Sequence, residues 1–269
     1  MNPDVMIVSF PKSGRTWVRV FLSRYRQGLL SLPDFDLSLH CRAGGRGLTW
    51  DFSHAGADPK FGVTKLRKLL MRRSDHPALR GLPAWCFGVR GIELPAGARR
   101  YVFLARDPRD VLVSWYHQAR SRNRFWTGDM DSFARNRYVG IARIVALMNH
   151  LARRAGALEA PFAFYEDLAA CPETGFRGLL EAAGEVVDSR ILAEAVAFAA
   201  FDHMREMETS GHFGKRLSAR QKGNPDSLKT RKGAVGGHRE EMAAHTLAWV
   251  EQYLCDHLSP SFDRYRYRT

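Results

Sequence analysis

The chain has 269 residues, enough for one large domain or two small ones, and its 45% hydrophobic and 26% charged content excludes a disordered or fibrous protein. Lysine and arginine number 41 against 28 acidic residues, a net charge of +13 that favours polyanionic partners: nucleic acid, anionic lipid or a multiply phosphorylated small molecule. Four scattered cysteines offer neither a disulfide scaffold nor a CxxC motif, and the longest apolar stretch, Ile191 to Phe201, is far short of the roughly 20 residues that span a bilayer.

The N-terminus has no basic region ahead of its short apolar run, so no secretory signal is visible and the sequence reads as soluble and cytoplasmic. Val5 to Phe10 (VMIVSF) is apolar and rich in β-branched residues, which predicts a buried strand. Pro11-Lys12-Ser13-Gly14 breaks it. Val18, Phe21, Leu22 and Tyr25 then fall on one helical face, with Arg19, Ser23 and Arg26 on the other. Residues 28–62 read as loop with short helices. Tyr101 to Ala105 predicts a second strand ending at Arg106, and Asp107-Pro108 suits the cap and first position of a helix running to about Gln118. Phe162 to Tyr165 predicts a third strand. Helical patterns occupy about 139–154, 173–183, 188–200 and 239–258. Lys215 to Arg239 holds eight basic residues against one acid, Asp226, and reads either as a solvated loop or as a lid over an anion. No linker or repeat divides the chain, so 1–269 is expected to form a single domain.

Strands alternating with helices imply an α/β fold, a mostly parallel sheet covered on both faces. Ligands of such sheets sit beyond the carboxyl ends of the strands. The first candidate there is Phe10-Pro11-Lys12-Ser13-Gly14-Arg15-Thr16-Trp17. A glycine turn between strand and helix aims backbone N–H groups at one spot, where the helix dipole favours an anion and Lys12 adds a cation. The pattern lacks the GxxxxGK[ST] order of a nucleotide-triphosphate loop. The second candidate is Arg106 with Ser114, one at a strand end and one on the following helix, able to converge on a second phosphate.

FPKSGRTW followed about 90 residues later by FLARDPRDVLVSWYH resembles the 5′-phosphosulfate and 3′-phosphate signatures of sulfotransferases that use 3′-phosphoadenosine 5′-phosphosulfate (PAPS). Tyr165-Glu166-Asp167 and Arg231-Lys232-Gly233 resemble two further motifs of that family, in the right order, so the resemblance spans about residues 5 to 240. It implies a P-loop-like three-layer α/β/α fold and sulfuryl transfer from PAPS, releasing adenosine 3′,5′-bisphosphate (PAP), with no metal. Carried over by position, Lys12 meets the bridging oxygen of the phosphosulfate, and Ser13, Gly14, Arg15 and Thr16 cradle the 5′-phosphate. Trp17, Tyr165 and Phe201 attend the adenine. Arg106 and Ser114 hold the 3′-phosphate, closed over by Arg231, Lys232 and Gly233. His54, after the run Trp50-Asp51-Phe52-Ser53, best fits the family's base; His40, in a glycine-flanked loop, and His117 are its rivals.

The chain departs from the family in places. RKGAVGGH lacks the acid and tryptophan that usually follow the loop, Ala199-Ala200 replace hydroxyl residues before Phe201, and Arg15 replaces a common threonine, as in bacterial branches. The 52 residues between His54 and Arg106 imply an insertion around Lys65 to Pro95. A P-loop-type kinase and a basic nucleic-acid-binding protein are the competing readings. The acceptor, a small molecule or a glycan or lipid, is not specified, although arginines at 42, 46, 72, 73, 120, 122 and 124 hint at an acidic one.

Overall fold

A computed structural model of the chain describes residues 2–56, 91–213 and 225–266. Most of the expected insertion, residues 57–90, lies outside the described residues, as does 214–224 of the basic segment. Four parallel strands form one sheet in the order β2-β1-β3-β4: β1 (Val5–Val8), β2 (Trp50–Ser53), β3 (Arg100–Ala105) and β4 (Phe162–Phe164). Parallel strands need crossovers, and helices supply them on both faces: α1 (Arg15–Leu29), α2 (Pro108–His117), α3 (Met130–Arg135) and α4 (Ile141–Leu158). After β4 follow α5 (Tyr165–Ala170), α6 (Pro172–Ala182), α7 (Ser189–Phe198), α8 (Phe201–Thr209), α9 (His238–Glu241), α10 (Ala244–His257) and α11 (Asp263–Arg266).

The period-two alternation of the central strands divides the core. Val5 and Ile7 of β1 and Val102 and Leu104 of β3 pack with α1, α6, α7 and α8. Met6, Val8, Phe103 and Ala105 pack on the opposite face with α2, α3, α4 and α10. All four residues of β1 are buried, which is why the run is apolar throughout rather than alternating. These two clusters are the outer boundaries of a three-layer α/β/α fold. Among the described residues no helix is long and apolar enough to cross a membrane.

Register places the strand ends together. Val8 pairs with Ser53 on one side and Phe103 on the other, while β3 runs two residues further, to Ala105. The segments after β1, β2 and β3 therefore leave the sheet along one edge. The first strand is shorter than its apolar run: Ser9 still donates to the Ser53 carbonyl (3.1 Å), then the chain turns, with Ser13 N–H reaching the Phe10 carbonyl (3.4 Å). Asp107 caps α2 as expected, accepting from Arg109 N–H at 2.9 Å with Pro108 behind it. A π turn (Gln118–Arg122) extends that helix. The helical pattern at 239–258 is split, because Met242 and Ala243 are extended between α9 and α10.

His40 corrects a local expectation. It lies in a short 3-10 turn (Leu39–Cys41), 5% exposed, its ring edge-on to Phe52. Ser23 Oγ donates its proton to the Leu37 carbonyl (3.0 Å), so it accepts from His40 Nδ1 (3.0 Å). His40→Ala should accordingly destabilise the fold by about 1–3 kcal/mol, the scale of a lost buried hydrogen bond and its packing, read as a lower urea midpoint.

Candidate active site

The loop after β1 is held in two left-handed conformations, Lys12 at φ 77° and Gly14 at φ 98°. Lys12 pays strain for this. Gly14 does not, and only glycine fits: a Cβ there would stand 2.6 Å from the Tyr165 ring. Gly14 opens α1 with no side-chain cap, so the first-turn N–H groups of that helix lie at the sheet edge.

Arg106, at the end of β3, ties this loop to its neighbours. Its guanidinium donates to the Lys12 carbonyl (3.3 Å) and the Ala234 carbonyl (2.9 Å), and lies over the Tyr165 ring, 4.2 Å from the centroid. Tyr165 begins α5, directly after β4, and donates its hydroxyl to the Gly233 carbonyl (3.0 Å). Trp17 sits edge-on to both Tyr165 and Phe176. Gly233, at φ 66°, packs so closely on Phe201 that a Cβ would come within 2.4 Å of its ring.

Two buried carboxylates fix the basic segment. Glu208 of α8, 2% exposed, accepts from Lys229 N–H (2.8 Å), Thr230 N–H (2.9 Å) and the Thr230 hydroxyl (2.8 Å). Asp110 of α2 accepts from Gly236 N–H (2.8 Å), His238 N–H (3.0 Å) and His238 Nδ1 (2.8 Å). Burial pushes the Asp110 carboxyl up, but His238, Arg106 and the Gly236 N–H outweigh it and hold the group below its ordinary range. Between these clamps, Arg231 forms a bidentate pair with Glu241 (both 2.9 Å), which also meets His117 Nε2 (2.6 Å). Lys232 stands at the rim, paired with Glu240 (2.8 Å). His238 occupies the place where the motif normally has tryptophan and instead buries a polar ring against Asp110.

Together these elements enclose a cleft of about 560 Å³ along the sheet edge. Lys12, Gly14, Arg15, Thr16, Trp17, His54, Arg106, Ser114, Tyr165, Phe201, Arg231, Lys232 and Gly233 all line it. Ser13 does not: it is 2% exposed, beneath the loop. Desolvation, then the charges of Lys229, Arg122, Arg106 and Arg231, drive the Lys12 ammonium well below the ordinary lysine range. Burial and the arginines at 122, 15 and 19 bring Lys229 down to about 8. The cleft is thus built to be entered by anions. Among the described residues no cluster of three histidines, cysteines or carboxylates could hold a metal ion.

His54 follows β2 and lines the cleft, with the Arg15 guanidinium donating to its Nε2. Guanidinium only donates, so that nitrogen carries the lone pair. His117 lies on the other side, next to Glu241 and Arg231. Sequence reasoning missed Lys229, Glu208, Glu241 and His238. Lys229 was findable, two residues before Arg231; the partners of the other three come from distant parts of the chain.

The fold and the cleft define an α/β protein with a cation-lined cleft beside the ends of β1 and β3. The sulfotransferase domain family matches residues 2–259, and the chain belongs to that family: it is a sulfuryl-transferring enzyme. Mouse sulfotransferase SULT7A1 complexed with PAP is similar in fold, with a TM-score of 0.63 at 15% identity over 96% of this chain and 85% of that one. Retinol dehydratase in complex with androsterone and inactive cofactor PAP gives 0.61 at 17% identity, over 96% and 81%. The same enzyme with retinol and PAP gives 0.60 at 18% identity, over 97% and 82%. A search of curated proteins finds no match.

The Gly233–Phe201 contact gives a direct check on the cleft's closing segment. Gly233→Ala must both hold a left-handed backbone and displace a ring, so it should cost about 1–3 kcal/mol. Limited proteolysis should cut the 225–239 segment faster in the variant than in the parent.

Proposed function

We propose that the protein, as a single domain over the chain and in the cytoplasm, transfers a sulfuryl group from PAPS to an acceptor hydroxyl or amine and releases PAP. The observation that carries this reading is the division of the cleft's cations. Lys12 and the loop N–H groups follow β1, while Arg106 follows β3 and Ser114 lies on the next helix; Arg231, Trp17, Tyr165 and Phe201 line the same cleft. That pattern suits a flat nucleoside carrying anionic groups at two positions. The PAP held by similar folds supports the same assignment.

Lys12 neutralises the charge that develops on the leaving phosphate oxygen as the sulfur–oxygen bond breaks. An anion beside Lys12 raises the ammonium's affinity for its proton. Gly14, Arg15 and Thr16 cradle the 5′-phosphate by their backbone, and Arg106, Ser114 and the 231–233 segment enclose the 3′-phosphate. His54 takes the acceptor proton through Nε2, the acceptor hydroxyl replacing the Arg15 guanidinium at that lone pair. The protein mainly aligns donor and acceptor and offsets charge, with lysine and arginine as the counter-ions.

PAP should raise the melting temperature by mass action, and adenosine 5′-monophosphate much less, since it lacks the group met by Arg106 and Ser114. Equal shifts would remove the 3′-phosphate assignment; a larger shift from ATP with magnesium would favour a kinase. In turnover assays with an alcohol acceptor, Lys12→Ala should lower kcat by roughly 10²–10³-fold. His54→Ala should lower it by about 10²–10⁴-fold while PAP affinity, measured by calorimetry, stays close to the parent's. Near-parental kcat in either variant would withdraw that residue's role.

A further inference from the structure

A buried polar atom without a hydrogen-bond partner costs stability and points to a group that completes it from outside the chain. Arg106 Nε and Gln118 Oε1 are two such atoms on side chains that line the cleft. A spare N–H suits the phosphate assigned to Arg106. A spare amide oxygen does not, because it only accepts and therefore needs an N–H or O–H to face it.

Gln118 follows α2, four residues beyond Ser114 and so on the same helical face. Its backbone is engaged: the N–H donates to the Ser114 and Trp115 carbonyls, and the carbonyl accepts from Asn123 N–H (2.7 Å). The residue also opens the π turn over Gln118–Arg122, an irregularity found mostly at functional sites. What is left unmet is the side-chain oxygen, buried in the cleft wall.

Contacts along α2 show which part of a ligand lies there. The first turn meets one end of the closing segment, where Asp110 holds Gly236 and His238 beside Arg106. At that end Arg106 donates to the Ala234 carbonyl and Tyr165 to the Gly233 carbonyl. The last turn meets the other end: His117 Nδ1 stands 3.6 Å from Asp226, and Arg122 donates to the Ser227 carbonyl (2.6 Å). Arg106 and the adenine wall thus gather at 233–238, and Gln118, between His117 and Arg122, belongs to the opposite end. After burial itself, Lys229 and Arg122 depress the Lys12 ammonium most, ahead of Arg106 and Arg231. The Gln118 end is therefore also the one that bears most on the lysine at the transfer point.

We infer that Gln118 selects the acceptor: its Oε1 takes a hydrogen bond from an N–H or O–H that the acceptor carries besides the group to be sulfated. The inference rests on the sulfuryl-transfer reading, in which the proton of the reacting hydroxyl goes to His54 and is not free for Gln118. Favoured acceptors are then diols, diphenols and amino alcohols. A simple alcohol leaves the oxygen desolvated and unpaired, which is how a polar site rejects an analogue lacking one hydroxyl.

The test titrates phenol, catechol, resorcinol and hydroquinone into the full chain saturated with PAP. The added hydroxyl lies at a different position in each diphenol, and at least one should bind roughly three- to tenfold tighter than phenol, the scale of one net hydrogen bond. Gln118→Met, similar in length but without the acceptor oxygen, should erase that preference while PAP affinity stays within about threefold of the parent's. Its melting temperature should equal or exceed the parent's, because an unpaired buried amide has been removed. A fall of more than about 2 °C would mean that the amide is structural, and overturns the inference. Equal binding of the four phenols to the parent overturns it, as does no binding of any, or a preference that survives in Gln118→Met. A tenfold loss of PAP affinity in that variant overturns it as well, since the oxygen then serves the donor's ribose hydroxyl. The titrations are repeated without PAP. A parent that fails to bind PAP yet prefers a diphenol refutes the donor assignment and leaves the Gln118 contact standing.

Discussion

The architecture of the cleft depends on one problem, how to hold several like charges together. Lys229, Arg122, Arg106 and Arg231 all act on Lys12, and Arg122 acts on Lys229 as well, around a cleft of about 560 Å³. Each close pair opposes folding by up to a few kcal/mol at the effective dielectric of a protein site. Two buried carboxylates answer this without cancelling the charge. Asp110 and Glu208 spend their oxygens mainly on backbone N–H groups of the 229–238 segment, so they pin the chain and leave most of the cations facing the cleft. Glu241 is the exception: it neutralises Arg231 directly, and His117 shares its carboxylate.

The sheet decides where these groups can stand. Because Val8 aligns with both Ser53 and Phe103, three strand ends open at one level, and the residues that follow them share the cleft. β3 lies at the centre and β2 at the edge. The groups assigned to the donor come from the central strands β1 and β3 and are braced on every side: Arg106 touches the Lys12 carbonyl, the Ala234 carbonyl, Asp110 and the Tyr165 ring. His54 stands on the edge strand, where its contact with Arg15 bridges to the first loop. Two glycines tighten the same frame, Gly14 against Tyr165 and Gly233 against Phe201, and the Tyr165 hydroxyl links the two.

What the sequence disclosed, and what it hid, follows from the range of the forces. β1 and β3 were legible as uninterrupted apolar runs because both faces are buried, and α2 because Asp107-Pro108 is a cap written in adjacent residues. The helices over 141–158 and 172–182 likewise follow local periodicity, whereas β2 lies within the stretch 28–62 that reads as loop. α8 was not legible: the 188–200 pattern ends in alanines, and only the extended Ala200 separates it from Phe201. His40 was placed in a loop by its glycines, yet its environment is set by Ser23 and Phe52, 17 and 12 residues away. Lys12 to Trp17, Arg106 and Ser114 could be named because each follows a strand that could be read. Glu208, Asp110 with His238, and Glu241 with His117 are pairings across 21 to 128 residues, and nothing local announces them.

Net charge is instructive for the same reason. The formal +13, on its own, suits nucleic acid, anionic lipid or a multiply phosphorylated small molecule alike. Many of the basic side chains are instead spent internally. Arg26, 3% exposed, donates to the Leu48 and Gly44 carbonyls and so holds the approach to β2; Arg109, 4% exposed in its side chain, caps Asp107 and meets Glu251. Arg100 donates to the Ala183 carbonyl, and Arg264 pairs with Asp167. Guanidinium suits this work because several donors in one plane can satisfy carbonyls from two segments at once. Among the described residues a large part of the positive charge is therefore structural and a second part lines the cleft. Cations gathered in this way concentrate anions at one concave site, the charge distribution that a transferase for a small polyanion needs.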